Sequence, residues 1–107
     1  MTDCVLVYIT ASNKEEANAL CRSLVEERLA ACANITDGID SLYWWGGKLE
    51  KAREALCVLK TTRARFLELS RRAKELHSYE TPCIVALPLE EGEGAYLDWI
   101  RKETLSI

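Results

Sequence analysis

The feature that most constrains this chain is a pair of adjacent glycines, Gly46-Gly47, set between two long extended segments, residues 30–45 and 48–60. Two glycines in a row supply the positive φ that both central positions of a two-residue hairpin turn demand. Val, Ile, Leu, Tyr and Trp flank them, as strands prefer. Asp37-Gly38 interrupts the first arm and predicts a bulge or bend. Each arm is far longer than the five or six residues, roughly, of an ordinary strand, so the hairpin must project beyond its own sheet. Its tip holds Leu42, Tyr43, Trp44, Trp45 and Leu49. Exposed apolar clusters mark contact surfaces, and Trp and Tyr are favoured at interface hot spots. Tyr43, Trp44 and Trp45 are therefore read as an oligomer contact. The alternative is that the arm folds back and buries them internally.

The remaining elements follow from periodicity. Cys4–Ile9 is a continuous apolar run of strand length, the pattern of a central strand. Ser12 precedes Glu15 by three, a capping-box spacing, and Ala17, Leu20, Cys21, Leu24 and Val25 then recur at helical intervals, predicting a helix over 14–28. Thr62 can cap a second helix over 63–76, with Phe66, Leu69, Ala73 and Leu76 as its apolar stripe. Residues 83–89 form a last strand bracketed by Pro82 and Pro88, which places it at a sheet edge because proline cannot donate to a ladder. A short helix over 95–103 ends the chain. The order βαββαβ plus a C-terminal helix is the split-βαβ, ferredoxin-like sandwich of the α+β class. One domain over residues 1–107 is expected from the length. Two helices on one face leave the other face of the sheet for a second subunit to cover.

Composition narrows the function. The chain carries 14 Lys and Arg against 17 Asp and Glu, a net charge of −3, which does not suit a generic nucleic-acid binder. Basic residues gather at Lys60, Arg63, Arg65, Arg71, Arg72 and Lys74, read as a solvated helix face. No apolar stretch approaches a membrane span, and the start lacks a secretory leader, so no membrane partner and a cytoplasmic location are expected. The five cysteines are Cys4, Cys21, Cys32, Cys57 and Cys83. Their odd number and the lack of a CxxC pair fit neither a disulfide framework nor a zinc module, and they read as reduced, mostly buried small hydrophobes.

Several blocks together resemble the CutA divalent-cation tolerance proteins: residues 26–35 (Glu26 to Ile35), Ser41-Leu42-Tyr43-Trp44-Trp45 with Gly47-Lys48 and Glu50, Lys60-Thr61, His77-Ser78-Tyr79-Glu80-Thr81-Pro82, Ile84 to Pro88, and Tyr96-Leu97-Asp98-Trp99. The resemblance implies a ferredoxin-like protomer assembled as a homotrimer similar to that of the PII signalling proteins, with copper or another divalent cation as its ion and no organic cofactor. In the family's best-known bacterial metal pattern a cysteine near the end of the first strand joins two adjacent histidines. Here Ile9 and Leu76 stand at two of those positions, and only His77 remains.

Candidate sites follow. His77, the sole histidine, with Glu80 or Cys83 as a further ligand, could hold Cu(II) or Zn(II). The other reading is a histidine at a helix C-terminus, placed there by the helix dipole. Trp45, Glu50, Glu54, Lys60, Tyr79 and Glu80 could line a cleft between subunits suited to a small ligand, or sit in ladders and salt bridges that fix trimer register. Glu90, Glu91 and Glu93 read as a solvated turn. A single histidine leaves no base to spare for a nucleophile, and no phosphate loop, HExxH or paired-carboxylate motif is present, so no enzyme is expected. The functional expectation is a divalent-metal (copper) binding homotrimer contributing to metal tolerance. The alternatives are a PII-like small-molecule sensor and a trimeric scaffold for a partner.

Overall fold

The computed structural model describes residues 2–105. Met1, Ser106 and Ile107, which the expected domain over 1–107 includes, lie outside the described residues. The elements are β1 (Cys4–Ala11), α1 (Lys14–Glu26), β2 (Cys32–Trp45), β3 (Lys48–Thr62), α2 (Phe66–Leu76), β4 (Ile84–Pro88) and α3 (Gly94–Glu103), with a 3-10 turn over Arg63–Arg65. The four strands form one sheet in the order β2-β3-β1-β4. Every neighbouring pair is antiparallel. This is the ferredoxin-like arrangement, and the proline-bracketed β4 lies at an edge.

The hairpin turns where the glycines require. Gly46 and Gly47 sit at φ 57 and 77, and Trp45 pairs with Lys48 to close the ladder. The expected bulge lies between Thr36 and Ile39, with Gly38 at φ 72. The arm stretches the molecule to 44 Å along its longest axis against 25 and 22 Å across.

Strand alternation sorts the sheet into two faces. Val5, Val7, Ile9 and Ala11 of β1 and Ala55, Cys57 and Leu59 of β3 face α1 and α2. There they are buried among Leu20, Cys21, Leu24, Leu69 and Ala73. On the opposite face Cys4 packs with Leu97 and Ile100, so α3 covers one end of that face. The rest of it carries Leu6, Tyr8, Leu56 and Val58, half-buried, and Val85 and Leu87, exposed.

Three local expectations are corrected. The N-cap of α1 is Asn13, not Ser12: Glu16 N donates to Asn13 Oδ1 at 2.8 Å, while the Glu16 carboxylate accepts from Ser12 N rather than from the N-cap amide. The helix stops at Glu26 rather than Arg28. Arg28 takes φ 63, and the amides of Arg28 and Leu29 return to the carbonyls of Val25 and Leu24, a Schellman closure with Arg where glycine is usual. Thr62 makes no side-chain cap, and the backbone tightens instead into the 3-10 turn before α2 opens at Phe66.

Candidate functional site

The segment between α2 and β4 lies against the end of β1. His77, the C-cap of α2, is 8% exposed. Its Nε2 lies 2.7 Å from Thr10 O, and Tyr79 N–H donates to its Nδ1 at 3.1 Å. A carbonyl can only accept, so Nε2 carries the proton and Nδ1 supplies the lone pair. Both ring nitrogens are engaged, and neither is left for a metal.

Next to it, Glu16 clamps two loops. Its Oε1 accepts from the backbone and hydroxyl of Ser12, each at 2.9 Å, and its Oε2 accepts from Ser78 N at 2.8 Å. Burial alone would raise this carboxyl, but the Ser78 and Ser12 donors outweigh it and hold it down at about 2. Tyr79 reaches the other way and donates from its hydroxyl to Glu54 Oε2 at 2.8 Å. Burial first, then the Glu54 carboxylate, push the Tyr79 hydroxyl well up. Glu54 is itself only 7% exposed.

The expected metal trio is not gathered by one chain. His77 is tied at both nitrogens, while Glu80 and Cys83 are exposed on the following stretch. Burial and the nearby Glu54 charge raise the Cys83 thiol, away from the thiolate a soft metal takes. Among the described residues no group of three or more His, Cys, Asp or Glu is placed to hold a metal ion. The described residues of one subunit therefore gather too few donors for a divalent cation.

The expected cleft set is strung along the hairpin, with Trp45 at the tip, Glu54 and Tyr79 near the middle of β3 and Lys60 toward its end. Glu50 pairs across the hairpin with Tyr43, and Lys48 with Trp45. Alternation puts Tyr43, Trp45, Glu50 and Glu54 on one face, with Tyr79 beside Glu54. Lys60 shares that face but lies six residues further along β3 than Glu54, about 20 Å away at the rise of a strand. There it makes a separate cluster. Its Nζ donates to Asn34 Oδ1 at 3.1 Å and contacts Cys32 Sγ at 3.8 Å. It also lies 5.9 Å over the Tyr96 ring, whose hydroxyl is 3.5 Å from that sulfur. The arm's aromatics stand in solvent, Tyr43 at 42%, Trp44 at 74% and Trp45 at 60% exposed. Within one chain the arm does not fold back over them.

The residues sequence reasoning missed are Glu16 and the pair Cys32 and Tyr96. Glu16 was within reach, because Asn13 precedes it by the same three-residue interval that drew attention to Ser12 and Glu15. Cys32 and Tyr96 are far apart in sequence and meet only because α3 crosses the sheet.

With this geometry in hand, comparison with known proteins decides the family. The family described as CutA1 divalent ion tolerance protein matches residues 5–103. The chain belongs to the CutA1 divalent ion tolerance family. It is 48% identical over 99 residues to a divalent-cation tolerance protein CutA of Thermus thermophilus, covering 92% of this chain and 96% of that one. It is 40% identical to a chloroplastic CutA 1 of Oryza sativa, covering 94% of this chain and 56% of the rice protein. Among solved structures it superposes on a CutA from Archaeoglobus fulgidus described as periplasmic. The TM-score there is 0.92 at 43% identity, with 95% of this chain and 99% of that one covered. The CutA1 match embraces the arm, the segment from His77 to Pro82 and Lys60. Among the described residues no helix is long and apolar enough to cross a membrane.

Proposed function

We propose that this chain serves divalent-cation tolerance as a homotrimer, with copper as its ion, and performs no enzymatic step. The family match over residues 5–103 carries the reading. What supports the assembly is the exposed aromatic arm together with the half-open apolar face of the sheet. What supports a non-catalytic role is that the sole histidine spends both nitrogens on backbone partners and so offers no general base. The five cysteines are all free, which favours a reducing compartment such as the cytoplasm.

A cation then has to meet donors from more than one subunit. Exposed Cys83 and Glu80 are the available members of the expected trio, and His77 joins them only by giving up Thr10 or Tyr79. Calorimetric titration of the assembled protein with Cu(II) tests this. Micromolar or tighter binding is expected, weakened in Cys83→Ser. Binding that is unchanged in both Cys83→Ser and His77→Ala removes this segment from the site.

A second reading, a small-molecule sensor working in clefts between subunits, is favoured by one observation: Tyr43, Trp45, Glu50, Glu54 and Tyr79 share one face that runs from the tip of the arm at Trp45 to its base at Glu54 and Tyr79. A metabolite screen by thermal shift would show saturable stabilisation that Glu50→Gln removes. A blank screen beside clean copper binding rejects it.

A further inference from the structure

We propose that the ammonium group of Lys60 pairs with the carboxylate of Glu54 on the next subunit, so that each groove between chains encloses one Lys–Glu pair. The inference rests on the homotrimer reading above. Its starting point is an imbalance inside one chain. Glu54 is 7% exposed, and its hydrogen-bond partner is the neutral hydroxyl of Tyr79. Among the described residues no Lys, Arg or His forms an ion pair with it. A carboxylate withdrawn from water with one neutral donor is costly, and such charges are ordinarily paired or bound to a metal.

Lys60 is the complementary case. Its contacts are Asn34, Cys32 and the Tyr96 ring, all of them uncharged in their ordinary states, and it too forms no ion pair among the described residues. The two charges stand on the same face of the same strand. They are separated by about 20 Å of strand whose intervening side chains on that face, Leu56 and Val58, are apolar and half-buried. Within one chain they cannot meet.

The occupant this face fits is a second copy of the chain. It presents an anion at one end, an apolar middle and a cation at the other. Around a three-fold axis the Glu54 end of one face meets the Lys60 end of the next copy's face, while the apolar middles carrying Leu56 and Val58 converge toward the axis. Such a contact is heterologous, and with closing rotation it repeats three times around a ring. A metal ion would be the other way to neutralise Glu54. Among the described residues the soft donor near Glu54 is Cys83, whose thiol is raised, and two donors are too few for a divalent cation. An ammonium needs one carboxylate, and one is what the site offers.

The test is a double-mutant cycle on the full chain, read by sedimentation equilibrium at low and high salt, with circular dichroism reporting the fold. Glu54→Gln and Lys60→Gln are each expected to weaken assembly by about tenfold. The double neutral variant should be little weaker than either single one, because the second substitution removes nothing further. The charge-exchanged variant Glu54→Lys with Lys60→Glu should assemble better than Glu54→Lys alone. If the charge-exchanged chain fails to fold, the neutral cycle decides. Single effects that multiply in the double variant, or that leave assembly unchanged, overturn the pair while a trimeric wild type keeps the homotrimer standing. A wild type that sediments as a monomer removes both.

Discussion

At the residue scale the most consequential group is Glu16, whose three accepted hydrogen bonds tie the β1–α1 turn to Ser78. Its folded carboxyl sits at about 2, below the ordinary 4.5. A depressed folded value means stabilisation that is fully present above the unfolded value and lost as pH falls from there toward about 2. Glu16→Gln should therefore destabilise the protein by on the order of 1–2 kcal/mol near neutral pH, allowing for solvent screening. The gap between wild type and variant should close on acidification. Urea midpoints at several pH values check it, and a gap independent of pH contradicts it. His77→Ala is likewise expected to cost stability, because it strands the Thr10 carbonyl and the Tyr79 amide beneath a filled surface. His77 also shows where sequence reading stops. Its place at the end of α2 follows from helical spacing, but that both nitrogens face backbone groups depends on β1 ending beside it, which no local pattern records.

At the scale of elements, the strands were the most legible part. The Gly46-Gly47 turn and the Val, Ile, Leu, Tyr and Trp residues flanking it state the hairpin outright, and Pro82 and Pro88 put β4 at the edge. Helix ends were less so. Ser12, Asn13, Glu15 and Glu16 offer two overlapping caps, and only the approach of Ser78 to Glu16 chooses between them. Arg28 fills a left-handed position normally signalled by glycine, so the end of α1 carried no sequence mark. Two substitutions test these elements. Asn13→Ala removes the cap that Glu16 N uses and should cost about 1 kcal/mol. Gly38→Ala must hold φ near 72, and its Cβ would fall 2.6 Å from Arg53 Nη2. The arginine tip can swing aside, so the backbone cost dominates, about 1–2 kcal/mol. An unchanged thermal midpoint for Gly38→Ala would mean the bulge is looser than its ladder suggests.

At the scale of the whole molecule, two surfaces ask for the same partner. The arm carries Leu42, Trp44 and Leu49 on one side and Tyr43 and Trp45 on the other, all largely in water. The uncovered part of the sheet adds Leu6, Tyr8, Val85 and Leu87. A chain that left both open would expose more contiguous apolar surface than soluble monomers usually tolerate. Covering them joins stability to concentration by mass action. The thermal midpoint should therefore climb as protein is raised from about 1 to about 100 µM, because dilution favours the dissociated, less stable subunit. Tyr43→Ala and Trp45→Ala should weaken assembly by as much as about 3–5 kcal/mol where the ring is fully enclosed by a neighbour. Light scattering should then show smaller particles at the same concentration, and the midpoint of either variant should fall fastest on dilution. A midpoint flat across the whole range, with a folded particle of one chain's mass, would place the aromatic arm in water in the working protein. The case for grooves between subunits would go with it.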